Sequence, residues 1–231
     1  MAGGGPSEPD EGALRRLASL GEIAAEAAHE LRNVLQVISS SAYVARLDLA
    51  RSDIAAAQDH VARIEKNARS AQGIVNDVLT LARTEAFLRE DVPLREVITA
   101  ARTDFGDSAA HWRDEVQPRD LRAHAHPGLL TRLLHALYEN ALLASAPRAP
   151  IVITRAAKGV AGGVTIDVAD DGPGVAASLA LRVFEPLVTS RPGGTGLGLA
   201  LAKRICQAHG GSIALLASTG GGATFHIELP P

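Results

Sequence analysis

The chain has 231 residues, which suffices for one large or two modest domains with a substantial core. Aromatic residues make up only 3%, so the core must consist mainly of Ala, Leu, Val and Ile. The formal net charge of -3 gives no general signal for nucleic acid or for an anionic membrane. The single cysteine, Cys206, excludes an intramolecular disulfide and fits a reducing compartment.

The N-terminus is rich in Gly, Pro and acidic residues, and this composition predicts a disordered lead-in over residues 1–11. It lacks the basic and apolar regions of a secretory signal. No apolar run approaches the ~20 residues that a membrane helix needs, so we expect no membrane segment. Together with the single cysteine, these features predict a cytoplasmic protein.

Two long stretches repeat apolar residues every three or four positions, as helices that pack along a narrow seam do. Ser52 or Asp53 can cap the second helix. Because two isolated helices cannot bury both stripes well, we expect a helical hairpin over residues 12–88 that dimerises into a four-helix bundle. A coiled-coil element without chemistry also fits this periodicity. The predicted seam comprises Leu17, Leu20, Ala24, Ala27, Leu31, Val34, Ile38 and Ser41, then Val61, Ile64, Ala68, Ala71, Val75, Val78 and Ala82.

The pattern changes after the second helix, and Pro93 with its charged neighbours predicts a domain boundary near residues 88–92. Strands grouped with helices then indicate an α+β sandwich over residues 92–231, one open sheet covered on one face. Helices are predicted from LREVITAARTDF, PGLLTRLLHALYENALLAS and GTGLGLALAKRICQAHGG. Strands are predicted from IVITRAA and VTIDVAD, with a closing hairpin from SIALLAS and ATFHIEL around TGGG.

The polar group AAHELRN interrupts the apolar pattern of the first helix. His29 lies about 200° around the helix from both Ala27 and Leu31, so it points to solvent, and Asn33 shares that face. Glu30 lies about 100° around the helix from His29. A neutral imidazole is a competent nucleophile, although a solvated surface histidine fits the same position. Metal binding is disfavoured, because neither His nor Cys stands three or four residues from His29.

Two glycine-rich turns follow in the second half. Asp170, the first residue of DDGPGV, stands where the predicted strand opens into a loop, and its carboxylate can accept a hydrogen bond from an exocyclic amine such as that of adenine. GGTGLGL precedes a helix and exposes backbone N–H groups that suit phosphates. Arg191, in the loop FEPLVTSRPGG between them, can reach a terminal phosphate. Asn140 in YENALLAS offers an amide oxygen to Mg²⁺, and the joint occurrence of these pieces favours a nucleotide site.

Taken in order, these motifs resemble the catalytic core of two-component sensor histidine kinases. AAHELRN resembles the phosphoacceptor box of that family, and YENALLAS resembles its asparagine box. DDGPGV and GGTGLGLALAKRI resemble its two glycine boxes, with FEPLVTS as the phenylalanine box between them. The resemblance covers roughly residues 12–231. It implies a dimeric helical hairpin followed by a Bergerat-type ATP-binding domain that binds ATP and Mg²⁺.

The resemblance also implies roles for individual residues. His29 would accept the γ-phosphoryl group of ATP with help from Glu30, and Asn33 would position water when the partner is dephosphorylated. Asn140 would hold Mg²⁺, and Asp170 would read the adenine amine. The nucleotide pocket would be shaped by Gly172, Gly174, Thr189, Arg191, Gly194, Thr195, Gly196, Leu197 and Gly198.

The implied activity is that of a histidine autokinase, a homodimer that passes its phosphoryl group to an aspartate of a separate response regulator. Because this chain has no receiver domain, that partner would act in trans. Three alternatives remain open at this point. They are a phosphatase-biased enzyme, a non-enzymatic phosphotransfer or scaffold dimer with weak nucleotide use, and a Bergerat-type ATPase or serine kinase.

Three positions depart from the family pattern. Val34 stands where proline usually follows the asparagine, which removes an expected helix kink. Ala136 stands where a second asparagine is common and where related ATPases carry a glutamate that activates water. The lack of that glutamate favours transfer to a side chain over hydrolysis. His126 stands where an acidic residue is common, and the sequence offers no physical reason for it.

Overall fold

In a computed structural model the chain divides into two units, Met1–Arg83 and Thr84–Pro231. This division precedes the boundary predicted near residues 88–92. The predicted disordered lead-in lies outside the described residues except for Glu11, which begins the first helix. The structure describes residues 11–82, 87–160, 162–186, 188–189, 196–216 and 221–231.

The first unit is a helical hairpin of α1 (Glu11–Ala50) and α2 (Ile54–Ala82). Ser52 adopts a left-handed conformation with φ 64° in the connection between them. Asp53 then caps α2, because its Oδ1 accepts a hydrogen bond of 3.1 Å from the backbone N–H of Ala56. Of the two predicted caps, the structure therefore selects Asp53. A connection this short makes the two packed helices antiparallel.

The seam of α2 differs from the predicted one. Val61, Ala68 and Val75 were predicted at the seam but are exposed, whereas Ala57 and Ile74 are buried. The helix therefore has two adjacent apolar stripes, one buried and one exposed. A heptad pattern fixes the spacing of a stripe but not which flank of a wide stripe is covered within one hairpin. Because the seam was predicted for a four-helix bundle of two hairpins, the exposed positions of one hairpin stay a prediction. The positions that both stripes share are half-buried: Ile64, Ala71 and Val78.

The seam of α1 agrees better with its prediction. Ala27 and Ser41 are buried at 3% and 5% exposure, and only Ala24 of the described seam residues is exposed. The remaining described positions are half-buried: Leu31, Val34 and Ile38. The side chains of Leu17, Leu20 and Ala82 lie outside the described residues.

The second unit combines a five-stranded sheet, a two-stranded sheet and four helices among the described residues. The large sheet has the order β2-β4-β5-β7-β6, in which β2 runs parallel to β4 and all other neighbours are antiparallel. The elements in chain order are β1 (Glu90–Pro93), α3 (Leu94–Arg102), β2 (His111–Gln117), β3 (Arg122–Ala125), α4 (Pro127–Ser145), β4 (Ile151–Lys158), β5 (Val164–Asp170), α5 (Ala177–Ala180), α6 (Gly198–Ala208), β6 (Ser212–Leu216) and β7 (Thr224–Leu229).

The core lies between one face of the large sheet and the helices. Along β5 and β7 every second residue is buried, as expected for strands with one covered face. Tyr138 of α4 reaches across this core, and its hydroxyl lies 2.8 Å from Oγ1 of Thr154 on β4, so the buried polar atoms satisfy each other. The α+β sandwich predicted from the sequence is thereby confirmed. Its helical side is formed largely by the buried residues Leu130, Leu133, Leu134, Leu137, Leu201 and Ile205.

Three strands were missed by the sequence analysis. β1 pairs antiparallel with β3, with Val92 opposite Ala123. Most of the stretch 88–92, where the domain boundary was predicted, therefore belongs to the second unit. β2 forms the edge of the large sheet. β1 and β3 have only four residues each, and all three strands carry charged side chains, so their period-2 pattern is weak.

The structure gives His126 a physical role. Its Nδ1 accepts a hydrogen bond of 3.3 Å from the backbone N–H of Leu129, so His126 is the N-cap of α4. A carboxylate supplies the same kind of acceptor, which accounts for a histidine at a position where acidic residues are common. The backbone N–H of His126 donates to Nε2 of buried His209, at 3.0 Å. Nδ1 of His209 therefore carries the proton and donates to the carbonyl of Ile205, at 2.8 Å.

This hydrogen bonding joins the start of α4 to the end of α6. Phe87 packs on the same place, with ring centroids 4.6 Å from His209 and 5.7 Å from His126. Arg89 donates to the carbonyl of Ala208 at 3.1 Å. Burial lowers the pKa of His209, which keeps the ring in the neutral form that these hydrogen bonds require.

We expect His126→Ala to lower the free energy of unfolding of the chain by ~1 kcal/mol at pH 7, because α4 loses its cap. His126→Asp should keep the wild-type free energy of unfolding within a few tenths of a kcal/mol, since a carboxylate can accept the hydrogen bond from the same backbone N–H. Urea unfolding followed by circular dichroism measures both changes. Equal stability of His126→Ala and the wild type would contradict the capping role.

The solvent face of the large sheet has a row of charged side chains across four strands. Arg155 of β4 donates to Glu115 of β2 at 2.9 Å. His226 of β7 pairs with its cross-strand neighbour Asp167 and, at 3.3 Å, with Glu228. The hydrogen bond to Asp167 is the largest of the effects that raise the pKa of His226 above its ordinary value of 6.5.

This raised pKa makes the contribution of His226 depend on pH in a defined direction. The protonated ring is favoured in the folded state, so the stabilisation is fully present below about pH 6.5 and is lost as the pH rises through the folded-state pKa. His226→Gln should therefore reduce the free energy of unfolding more at pH 5.5 than at pH 8.5. Urea unfolding of both proteins at the two pH values tests this, and a deficit that grows with pH would contradict it.

Candidate functional site

The candidate site is built around Asp170, the last residue of β5. Its Oδ1 accepts hydrogen bonds from the backbone N–H of Gly172, at 2.8 Å, and of Ala223, at 3.3 Å. Within the described part of the chain no donor reaches Oδ2, so this oxygen can accept a hydrogen bond from a ligand. Burial raises the pKa of Asp170, and the two backbone donors oppose that rise.

Two chain segments approach each other closely at this carboxylate. A Cβ on Gly174, which has φ 76°, would lie 2.8 Å from the carbonyl oxygen of Gly222. A Cβ on Gly222, which has φ 84°, would clash with the carbonyl oxygen of Asp170. Gly174 of DDGPGV and Gly222 of the β6–β7 connection are therefore both required for this close approach. Gly172 and Gly174 lie where the sequence predicted, and Gly222 and Ala223 were not predicted.

Ser145 is a further residue that the sequence analysis missed. It ends α4, is 9% exposed, and its Oγ has no hydrogen-bond partner among the described residues. A Cβ on Gly172 would lie 3.0 Å from this Oγ and 2.8 Å from Oδ1 of Asp170. Both oxygens therefore border the notch above Gly172, defined here as the space that a side chain at position 172 would enter. The one available signal was a hydroxyl residue directly after the YENALLA helix pattern.

The neighbouring Asp171 differs from Asp170, because both oxygens of its carboxylate accept hydrogen bonds from the chain. Arg148 donates to its Oδ2 and to its carbonyl oxygen, both at 2.8 Å, and Ile151 donates from its backbone N–H to Oδ1 at 2.8 Å. The hydrogen bond from Arg148 is the main cause of a lowered pKa for Asp171. These contacts hold the chain after α4 against the turn after β5, and so they hold Ser145 near Asp170.

The second glycine box lies at the start of α6. Gly196 has φ 63°, Leu197 is buried at 1% exposure, and Gly198 begins the helix. A Cβ on Gly198 would lie 3.8 Å from Cβ of Ala136, so the start of α6 lies against α4. Asn140 stands one turn further along α4 and is half-buried. The structure thus brings the asparagine helix beside the N-terminus of α6, where free backbone N–H groups favour anions.

The other predicted site residues are placed less completely. His29 and Asn33 are exposed on α1, one turn apart on the face that the helical geometry predicted. Glu30 lies in α1, and its side chain is outside the described residues. Thr189 is exposed. Arg191, Gly194 and Thr195 lie outside the described residues, as does more than half of the loop FEPLVTSRPGG.

The described residues fit an adenine nucleotide. A buried hydroxyl without a partner, a carboxylate oxygen open to a ligand, and a notch kept free by glycine all occur at one corner. No group of three or more His, Cys, Asp or Glu that could hold a metal ion occurs in the described ranges. Likewise, no helix there is both long and apolar enough to cross a membrane.

Comparison with protein families gives two matches. Residues 19–87 match the family described as His Kinase A (phospho-acceptor) domain. Residues 125–231 match the family described as Histidine kinase-, DNA gyrase B-, and HSP90-like ATPase. The first match contains His29, and the second contains Asn140 and Asp170.

Curated relatives show the same organisation. The chain is 32% identical over 218 residues to the C4-dicarboxylate transport sensor protein DctB of Rhizobium meliloti, which covers 93% of this chain and 35% of the relative. It is 31% identical over 220 residues to the sensor histidine kinase ZraS of Escherichia coli, covering 93% of this chain and 46% of the relative. The chain thus spans less than half the length of these relatives.

Solved structures agree with these matches. Full-length ShkA in complex with AMPPNP aligns with a TM-score of 0.62 at 25% identity, covering 91% of this chain and 45% of that chain. The mycobacterial sensor histidine kinase MprB aligns with a TM-score of 0.54 at 29% identity, covering 62% of this chain and 97% of that chain.

We expect Gly222→Ala to disrupt the Asp170 corner, and Gly221→Ala is its matched control. Both glycines have φ near 84°, so both variants carry the strain of a left-handed alanine, ~1 kcal/mol. Only the Cβ at position 222 meets a backbone carbonyl, whereas the Cβ at position 221 has an ordinary contact of 3.6 Å. Gly222→Ala should therefore be clearly the less stable variant in urea unfolding. Equal losses for the two would contradict the close approach.

Proposed function

The chain carries the catalytic core of a two-component sensor histidine kinase, an ATP-dependent protein histidine kinase, and from this premise we propose that it phosphorylates itself on His29. The phosphoryl group then passes to an aspartate of a separate response regulator. ATP bound by the second unit is the phosphoryl donor. The observation that carries this proposal is the corner at Asp170, where a carboxylate that keeps one oxygen open and a buried hydroxyl border a notch that only glycine leaves free.

Adenine fits this corner chemically. The exocyclic amine of the base donates a hydrogen bond to Oδ2 of Asp170, while Oδ1 is held by the backbone of Gly172 and Ala223. Because this carboxylate is fixed by two backbone donors before the ligand arrives, little conformational entropy is lost when the base binds. The phosphates extend toward the N-terminus of α6 at Gly198, where the helix dipole and free N–H groups favour negative charge.

The phosphate end of the site is completed by residues that the family pattern assigns. Gly194, Thr195, Gly196 and Leu197 lead into α6 and supply backbone N–H groups. Thr189 and Arg191, in the loop before them, contact the terminal phosphate. Asn140 offers its amide oxygen to Mg²⁺, which prefers oxygen ligands and usually retains several waters. A Mg²⁺ ion held by Asn140 would supply neutralisation of the negative charge of the phosphates.

His29 is the nucleophile. The lone pair of one ring nitrogen forms a bond to the γ-phosphorus, and the bond between that phosphorus and the β–γ bridging oxygen breaks, so that ADP leaves. The other ring nitrogen then gives up its proton, and Glu30 orients the ring and accepts this proton. The exposure of His29 on α1 supports this role, because the ring is open to a nucleotide brought by the second unit.

The exposed stripe of α2 supports a homodimer. Val61, Ala68 and Val75 lie seven residues apart on one face of the helix and are exposed, together with Ile54 and Leu79. A heptad stripe of this kind is typical of a helix that packs against other helices, and a second copy of the hairpin supplies them in a four-helix bundle. Two copies of His29 are then present in each dimer.

Asn33 gives the same surface a second activity. It is exposed one turn after His29, so a regulator docked at His29 also meets its amide. There it positions a water that hydrolyses the aspartyl phosphate of the regulator. A phosphatase-biased enzyme with the same fold is therefore the second candidate function, and it differs from the first in the balance of two reactions on one surface.

The direct test is the phosphorylation of His29. The purified chain incubated with Mg·ATP labelled on the γ-phosphate should acquire label that is stable in base and labile in acid. His29→Gln should acquire none, because the only proposed nucleophile is removed. His60→Gln, on the second helix of the same hairpin, is the matched control and should be labelled like the wild type.

The results separate the candidates. Nucleotide binding without label on the wild type would favour the phosphatase-biased enzyme, and this chain should then still accelerate loss of phosphate from a phosphorylated regulator. Label that persists in His29→Gln would contradict the proposed nucleophile.

A further inference from the structure

The hydroxyl of Ser145 has no role in the family pattern, yet it lies at the candidate site. It is buried and lacks a hydrogen-bond partner among the described residues. A buried hydroxyl without a partner destabilises a protein, so its presence calls for an explanation. Its backbone carbonyl does have a partner, since the backbone N–H of Arg148 donates to it at 3.0 Å. Of the polar groups of Ser145 that accept or donate at this corner, the hydroxyl is therefore the one without a partner among the described residues, and it is available to a ligand.

The position of this hydroxyl indicates what that partner is. Oγ of Ser145 and Oδ1 of Asp170 border the same notch above Gly172, at 3.0 Å and 2.8 Å from the position of a Cβ there. Oδ1 accepts hydrogen bonds from the backbone of Gly172 and Ala223, so Oδ2 of the same carboxylate is the oxygen that remains for a ligand. A hydroxyl can donate or accept a hydrogen bond, and a carboxylate can only accept one. The corner therefore offers an acceptor beside a group that can donate.

Adenine presents the complementary pair on its Watson–Crick edge, where the acceptor N1 lies next to the 6-amino group. Guanine presents the reverse pair, the acceptor O6 next to the donor N1–H, and its O6 would face the carboxylate. We propose that Ser145 is an adenine-contacting residue, whose hydroxyl donates a hydrogen bond to N1 of adenine, directly or through one water in the notch. This inference rests on the proposed use of ATP and adds to it a second residue that contacts the base.

The same geometry explains why position 172 is a glycine. Any side chain there would enter the space between Ser145 and Asp170 and fill the place of the base edge or its water. Arg148 and Asp171 fix the chain on either side, through two hydrogen bonds of 2.8 Å. Ser145 is thus held at the notch by contacts that do not involve its own side chain.

The experiment compares two ligands and two proteins by calorimetry. The ligands are ATP and 1-deaza-ATP, which has a C–H in place of N1. Ser145→Ala should weaken binding of ATP about three- to tenfold, the range for loss of one neutral hydrogen bond. It should leave binding of 1-deaza-ATP unchanged, because that ligand cannot accept the hydrogen bond. Ser212→Ala, an exposed serine of β6, is the matched control and should bind both ligands like the wild type.

Stability without nucleotide provides a second readout. If the hydroxyl serves only a ligand, Ser145→Ala should unfold at the same or a higher urea concentration than the wild type, since it removes a buried polar atom without a partner. A purely structural role predicts the opposite, with lower stability and an equal loss of affinity for both ligands.

The outcomes distinguish this inference from the proposed function. Wild-type affinity of Ser145→Ala for ATP, or equal losses for ATP and 1-deaza-ATP, would overturn the role of Ser145 and leave ATP use intact. Failure of the wild type to bind ATP would overturn both.

Discussion

The Asp170 corner depends on one steric constraint, the close approach of the turn after β5 to the connection that leads into β7. Gly174 and Gly222 meet there with both residues in the left-handed region, and neither position has room for a Cβ. This approach lets the backbone of Ala223 reach Oδ1 of Asp170, at 3.3 Å. The carboxylate is then oriented by the chain itself, and a ligand need not organise it.

Helix α4 links this corner to the rest of the unit. His126 caps its first turn and contacts the end of α6 through His209, while Ala136 lies against the start of α6. Ser145 ends the helix beside Asp170. α4 and α6 therefore contact each other at His126 and at Ala136. A displacement of one helix relative to the other would change the Asp170 corner and the packing of Phe87 together.

Most of the fold could be predicted from the sequence because its helices and central strands have strong periodic patterns. α4 has the bounds of the predicted segment, and β5 ends at Asp170 as expected. β1, β2 and β3 could not be predicted, since they are short or carry charges and gain their stability from pairing with distant residues. Which side of α2 is buried in the hairpin could not be predicted from the sequence either, because two apolar stripes of equal spacing overlap on this helix.

Site residues could be predicted where their residue type and order in the chain indicate the chemistry. They could not be predicted where their role depends on a contact between distant parts of the chain. Asp170 and its glycines are recognisable by their order in the chain. Ser145 is one of many serines, and it lies beside Asp170 in a part of the fold where Arg148 also pairs with Asp171, 23 positions away. Nothing local in the sequence distinguishes such a hydroxyl from one that faces water.

The overlap of the two stripes on α2 has an evolutionary consequence. Ile64, Ala71 and Val78 belong both to the buried stripe and to the exposed one. A substitution at any of the three alters the internal fit of the hairpin and the surface through which copies of the chain would recognise each other. With the dimer proposed above, paralogues that diverge to avoid cross-pairing would be freer to vary at Val61, Ala68 and Val75, which are exposed in a single hairpin.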